Sequence, residues 1–116
     1  MAFQETLTGK TSDGYLSAMQ TLAGLYEANQ QWERSLPLRL QTVEIADLVS
    51  RDNDPRRAHV RIEAAQALAA RERFDEAERL ASEAVTIGES LRPRQSDHFA
   101  NTLDRIRAMK KDRLRL

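Results

Sequence analysis

A displacement of 42 residues brings this chain into register with itself: Trp32 falls on Phe74, Ser35 on Ala77, Val43 on Val85 and Ile45 on Ile87. Upstream, Leu22 falls on Ala64, Ala23 on Ala65 and Tyr26 on Leu68. The same shift carries Ala58 to Ala100, Ala64 to Ile106, and Ser12 through Asp54 to Ser96; carried backwards, Ile45 lands on Phe3 and Val49 on Leu7. A fixed period of this length marks a repeat architecture, in which each unit cannot bury its apolar face alone and must stack on its neighbours. The chain therefore reads as the tail of one unit, two full units and the first helix of another.

Within a unit the apolar spacing is helical. Leu16, Met19, Leu22, Ala23 and Tyr26 recur at steps of three and four, as do Phe74, Ala77, Leu80, Ala81, Ala84 and Val85. Each unit is a helix pair. Asp54 before Pro55 supplies an N-cap and a first-turn proline, Ser96 with Asp97 supplies another cap, and Pro93 follows a helix that should end near Leu91. These signals predict helices near 13–29, 33–50, 55–71, 74–91 and 96–113, with a helical remnant before residue 9. A single all-α domain follows, divided into the end of a preceding helix at 1–10, repeat 1 at 13–50, repeat 2 at 55–91 and a C-terminal capping helix at 96–116.

Composition agrees with this reading. Apolar residues make up 41% and charged residues 31% of the chain, the balance of a soluble helical protein. No apolar run approaches the roughly 20 residues that span a bilayer, and the start MAFQETLTGK lacks the features of a secretion signal, so a cytoplasmic setting and no membrane partner are expected. Cysteine is absent, which removes disulfides, thiolate chemistry and the common structural zinc sites. The net charge is zero, but its distribution is uneven: residues 1–50 carry six acids and three bases, and residues 101–116 carry two acids and six bases.

The runs LAGLYEANQQWERSLPL and AAQALAARERFDEAERLASEAVTI resemble tetratricopeptide repeats, and the spacing with the long loops SRDNDPRRA and LRPRQSDHFANTL is closest to the kinesin-light-chain variety. The resemblance covers residues 16 to 106. It implies antiparallel helix pairs stacked as a short right-handed α-solenoid. Three departures stand out: the glycines usual near Ala23 and in the turn before Trp32 are absent, Gln30 and Glu72 occupy the turns, and Arg39 replaces an apolar residue. Pro37 lies near the start of its helix and should forfeit about one backbone bond without breaking it. Trp32 and Phe74 match the family's aromatic between paired helices, so Trp32 reads as a packing strut and not as a stacking site.

Sites for chemistry are scarce. The GKT at 9–11 lacks the glycine and the preceding strand of a phosphate-binding loop, since Gln4 stands five residues before Gly9. The DND at 52–54 has the acids of a calcium loop without its glycine or terminal glutamate, and reads as a cap. His59 and Glu63 have the spacing of a metal-binding helix, but His98 is the only other histidine and no motif designates further ligands, so a solvated or partner-facing His59 is expected. No glycine-flanked nucleophile and no triad pattern is present. The expectation is a protein that is not an enzyme, with no cofactor and no metal. Arg105, Arg107, Lys110, Lys111, Arg113 and Arg115 crowd the basic end, yet Asp104 and Asp112 interrupt them and no aromatic follows Phe99, which favours a solvating cap over nucleic-acid binding.

In tetratricopeptide proteins the first helix of each pair lines a concave groove that receives a peptide or a partner's helix. Carried over by the repeat phase, the resemblance implies partner contacts at Ser17, Gln20, Thr21, Gly24 and Glu27, at His59, Ile62, Glu63 and Gln66, and at Asn101, Asp104 and Arg105. Gln20 and Ile62 replace the lysine-type positions of the family's carboxylate clamp, so chaperone-tail binding is not expected. The groove is mixed and mildly acidic in its middle, which suits a peptide of some basic and some small apolar character. A protein-interaction scaffold is the leading expectation. The alternative is a structural or oligomerisation segment of a larger regulator, self-associating through the end that carries Phe3, Leu7 and Leu16, because about three units are needed for a self-sufficient stack.

Overall fold

The period appears in the turns. In the computed structural model, which describes residues 13–51, 54–91 and 96–114, the Gln31 N–H donates to the Tyr26 carbonyl (2.7 Å) and the Gln30 N–H to the Glu27 carbonyl (2.9 Å). Forty-two residues on, the Arg73 N–H donates to the Leu68 carbonyl and the Glu72 N–H to the Ala69 carbonyl, both at 2.9 Å. These nested bonds satisfy carbonyls that a helix end leaves without partners, and they require one residue in the left-handed region. Gln30 (φ 59°) and Glu72 (φ 60°) adopt it.

Five helices result: α1 (Asp13–Ala28), α2 (Trp32–Val49), α3 (Arg56–Ala70), α4 (Phe74–Ser90) and α5 (Ser96–Leu114). Every boundary falls within one residue of the sequence expectation, because caps and breakers act locally. Among the described residues there is no strand, and no helix is long and apolar enough to cross a membrane. Asp54 caps α3 as expected, its Oδ1 accepting the Arg56 N–H at 2.9 Å, while Pro55 (φ −62°, ψ −18°) leads in. The Arg56 guanidinium beside it holds the Asp54 carboxyl below the usual carboxylate range. The helix α2 runs through Pro37 unbroken. The expected remnant before residue 9, with Phe3 and Leu7, and Pro93 lie outside the described residues.

Consecutive helices pack against each other, and α3 also meets α5. The first helices of the units, α1, α3 and α5, thus form one layer and α2 with α4 the other, in a body only 18 Å thick along its shortest axis. Central α3 is buried on nearly every side, and its alanines let the neighbours approach closely: Ala58, Ala64, Ala65 and Ala67 have no exposed surface. The larger core joins these to Leu36, Leu80, Phe99, Leu103 and Ile106, with Trp32 and Phe74 half-buried against it. Trp32 is therefore the strut that its phase partner Phe74 predicted. A smaller core of Leu16, Met19, Ile45, Ala46 and Val60 holds α1 to α2 and α3. Leu16 is 1% exposed, which corrects its assignment to a self-association surface.

Candidate partner groove

The layer of α1, α3 and α5 changes character along its length. Between α3 and α5 small residues allow direct backbone approach. Between α1 and α3 no Cα pair comes within 8 Å among the described residues, and long polar side chains span the gap. Arg39, rising from α2 beneath, donates through Nε and Nη2 to both carboxylate oxygens of Glu27 on α1, each at 2.8 Å. Its Nη1 lies 3.4 Å from Glu63 Oε2 on α3 and makes no hydrogen bond. Gln20 closes the bridge by donating to Glu63 Oε1 at 3.1 Å.

Buried Arg39 is thus the floor of this half of the face, with Gly24 above it; a Cβ on Gly24 would meet Arg39 Nη2 at an ordinary 3.9 Å. The bidentate hydrogen bonds that Arg39 donates to Glu27 raise the guanidinium pKa further above its already high value, against the opposing effect of burial. Two carboxylates around one guanidinium leave the patch with one excess negative charge, centred on the more exposed Glu63.

Arg61 makes the reverse journey. It leaves α3 and reaches the other layer, where Nη1 and Nη2 donate to both oxygens of Asp47 on α2 (2.9 and 2.7 Å) and Nε donates to Glu83 on α4 (3.0 Å). Hydrogen bonding from Arg61, seconded by Arg57, holds the Asp47 carboxyl below the usual carboxylate range. Arg61 therefore ties the two units by hydrogen bonds, whereas Arg39 crosses between them only through its 3.4 Å contact with Glu63.

The expected groove residues divide into three groups. Ser17, Thr21, His59, Gln66, Asn101, Asp104 and Arg105 are exposed. Gln20, Gly24, Glu27 and Glu63 are half-buried and belong to the Arg39 network or lie against it. Ile62 must be withdrawn: it is 4% exposed and part of the larger core. Its phase equivalents are Gln20 and Asp104, but among the described residues the α3 backbone packs closely against α2, α4 and α5, whereas that of α1 does so against α2 alone and that of α5 against α3 and α4. His59 stands edge-on to buried Phe99 at 5.3 Å between ring centroids, with His98 on the same ring at 5.4 Å. Among the described residues no group of three histidine or acidic side chains is placed to hold a metal ion.

Two of the expected residues, Gln66 and Arg105, come together at a cleft of about 190 Å³ between α3 and α5. Its apolar walls are Ala69, Ala70, Ile106 and Met109, which sequence reasoning did not single out. The alanine pair facing a methionine was the available signal, but alanines are so frequent in α3 that the pair carried little information. This volume is below the several hundred Å³ of a small-molecule site and matches a single side chain. A larger depression of about 440 Å³ lies elsewhere, between α2 and the α3–α4 turn. Its two cations already pair at home, Arg71 with Glu33 at 3.5 Å and Arg73 with Glu76 at 2.8 Å.

Three of the five basic residues described at this end are also committed. Arg107 pairs with Glu78 (2.7 Å), Lys110 with Asp75 (2.6 Å) and Glu78 (3.4 Å), and Arg113 with Glu72 (3.2 Å), so these charges fasten α5 to α4 and its preceding turn. The Arg107 hydrogen bond holds the Glu78 carboxyl below its usual range, with Lys110 adding to the effect. Arg105, at the cleft, is not among them. Its guanidinium meets only the neutral Thr102 hydroxyl, at 3.4 Å, and no carboxylate among the described residues reaches it.

A sequence profile of the tetratricopeptide repeat matches residues 15–90. Comparison with curated proteins finds no sequence match. Among solved structures, a variant form of nearly identical TPR-like repeats from a putative kinesin light chain of Podosopora anserina superposes with a TM-score of 0.83 over 95% of this chain, at 24% identity. The present chain spans 53% of that one, about half its length, and the likeness speaks to the fold.

Proposed function

This chain belongs to the tetratricopeptide repeat family, whose repeats generally serve as protein-interaction scaffolds, and on that premise we propose that it receives an extended peptide or partner segment across the face of α1, α3 and α5, without catalysis. The observation that carries the reading is the side-chain-sized apolar cleft on that face, rimmed by exposed Gln66 and Arg105. An apolar hollow with a few convergent polar groups is what anchors a partner's side chain, and a minority of such contacts supplies most of the binding energy. The test is capture of a partner by the purified protein and by a Gln20→Arg, Gln66→Arg double variant of unchanged helicity. Loss of capture is the expected result, and undiminished capture refutes the assigned face.

Within this reading α5 is a capping helix. By the repeat phase Arg107 stands where the earlier units have Ala23 and Ala65, and Lys110 where they have Tyr26 and Leu68. Both basic residues turn back to α4, giving solvent a charged surface where the earlier units present apolar ones.

A second reading, self-association through the α1 end, draws on Leu25. This side chain is 57% exposed, whereas its equivalent Ala67 is fully buried. Position 25 is thus one that a preceding helix or a second copy would cover.

A further inference from the structure

Resting on that groove, we infer that the partner segment carries a basic residue and an acidic residue three positions apart, with an aliphatic residue beside the acid. Thr21, Glu63 and Arg105 are phase equivalents, each 42 residues from the next, so they stand at one height on successive helices of the same layer. The row reads neutral, negative, positive. Glu63 holds the excess negative charge, because Glu27 already takes two of Arg39's donors and Glu63 receives only the 3.4 Å contact and the neutral Gln20 amide. Arg105 holds a positive charge that no described carboxylate neutralises.

The two sites are one inter-helix step apart, about 8–10 Å. A chain in the polyproline conformation advances about 3.1 Å per residue with three residues per turn, so side chains at positions i and i+3 point the same way about 9 Å apart. A Lys or Arg over Glu63 and an Asp or Glu over Arg105 therefore fit that separation. Arg105 itself lines the cleft with Ala69, Ala70, Ile106 and Met109, so the side chain next to the acid is the one that enters it. The low exposed polarity of those walls selects an aliphatic group. Discrimination arises from both ends: a segment with its charges exchanged would set like charges face to face at Glu63 and at Arg105.

The experiment uses fluorescent, end-blocked peptides with Lys, Leu and Glu at the first, third and fourth of four consecutive positions, and the same motif in reverse order, with the purified chain. One of the two orders should bind. Arg105→Glu should weaken it about tenfold, and exchanging the peptide's Glu for Lys should restore binding to that variant. Glu63→Lys should behave likewise with the peptide's Lys exchanged for Glu. Arg105 is exposed, so its swap leaves the core intact; circular dichroism confirms the fold of each variant. Absence of binding by both orders, or indifference to both swaps, overturns the inference. Ala70→Trp, which fills the cleft from an exposed position, separates this failure from that of the groove: binding lost to Ala70→Trp but indifferent to the swaps keeps the groove and removes the charge rule. Binding indifferent to all three substitutions removes the groove as well.

Discussion

Arg39 occupies a position that this fold ordinarily gives to an apolar side chain, and only 6% of it is exposed. Burying a guanidinium without partners would be prohibitive; paired through two parallel hydrogen bonds, it is tolerated. The cost of removing one partner then differs sharply from that of removing both. Arg39→Ala strands the half-buried Glu27 carboxylate and opens a void, and should destabilise the chain by about 3 kcal/mol in urea unfolding, whereas Arg39→Met with Glu27→Met should lie within about 1 kcal/mol of the parent. A single variant as stable as the parent would show that the pair contributes nothing. The sequence marked Arg39 as a departure from its family, but its environment was not legible there: both partners come from other helices, 12 and 24 residues away along the chain.

At the scale of elements, the helix ends were legible because their chemistry is local. Asp54 before Pro55 announces a start wherever it occurs, and the boundaries came within one residue. The two inter-helix turns show a local conflict instead. Gln30 and Glu72 adopt a left-handed backbone that costs a side-chain-bearing residue about 1–2 kcal/mol and glycine nothing. Part of that gain is lost again to glycine's larger unfolded-state entropy. Gln30→Gly and Glu72→Gly should each stabilise the chain by about 0.5–1 kcal/mol, read as a higher urea midpoint at unchanged slope. A decrease in midpoint would mean that the side chains matter more than the strain. Ile62 shows where phase reasoning fails: it treats units as equivalent, but burial depends on how many neighbours a helix has, and α3 has the most.

For the whole molecule, the 42-residue self-similarity made the stacking order and the packing role of Trp32 readable from the chain alone. The cleft between α3 and α5, and the wider polar joint between α1 and α3, were not readable, because they depend on how far the helices stand apart. Self-association belongs to this scale. If copies meet through the α1 end, light scattering will show a mass that rises with concentration, and Leu25→Glu will return it to that of the monomer while leaving peptide binding unchanged. A constant monomer mass removes that arrangement.

Arg39 reaches across the two units to Glu63 on one side of the slab, and Arg61 to Asp47 on the other. Flexing the joint either way must lengthen one of these contacts, so the pair opposes a change of curvature in both directions. On the proposed reading, a partner segment would then spend less of its affinity on shaping its receptor. Severing either arginine would remove that opposition in one direction, even with every contact residue still in place.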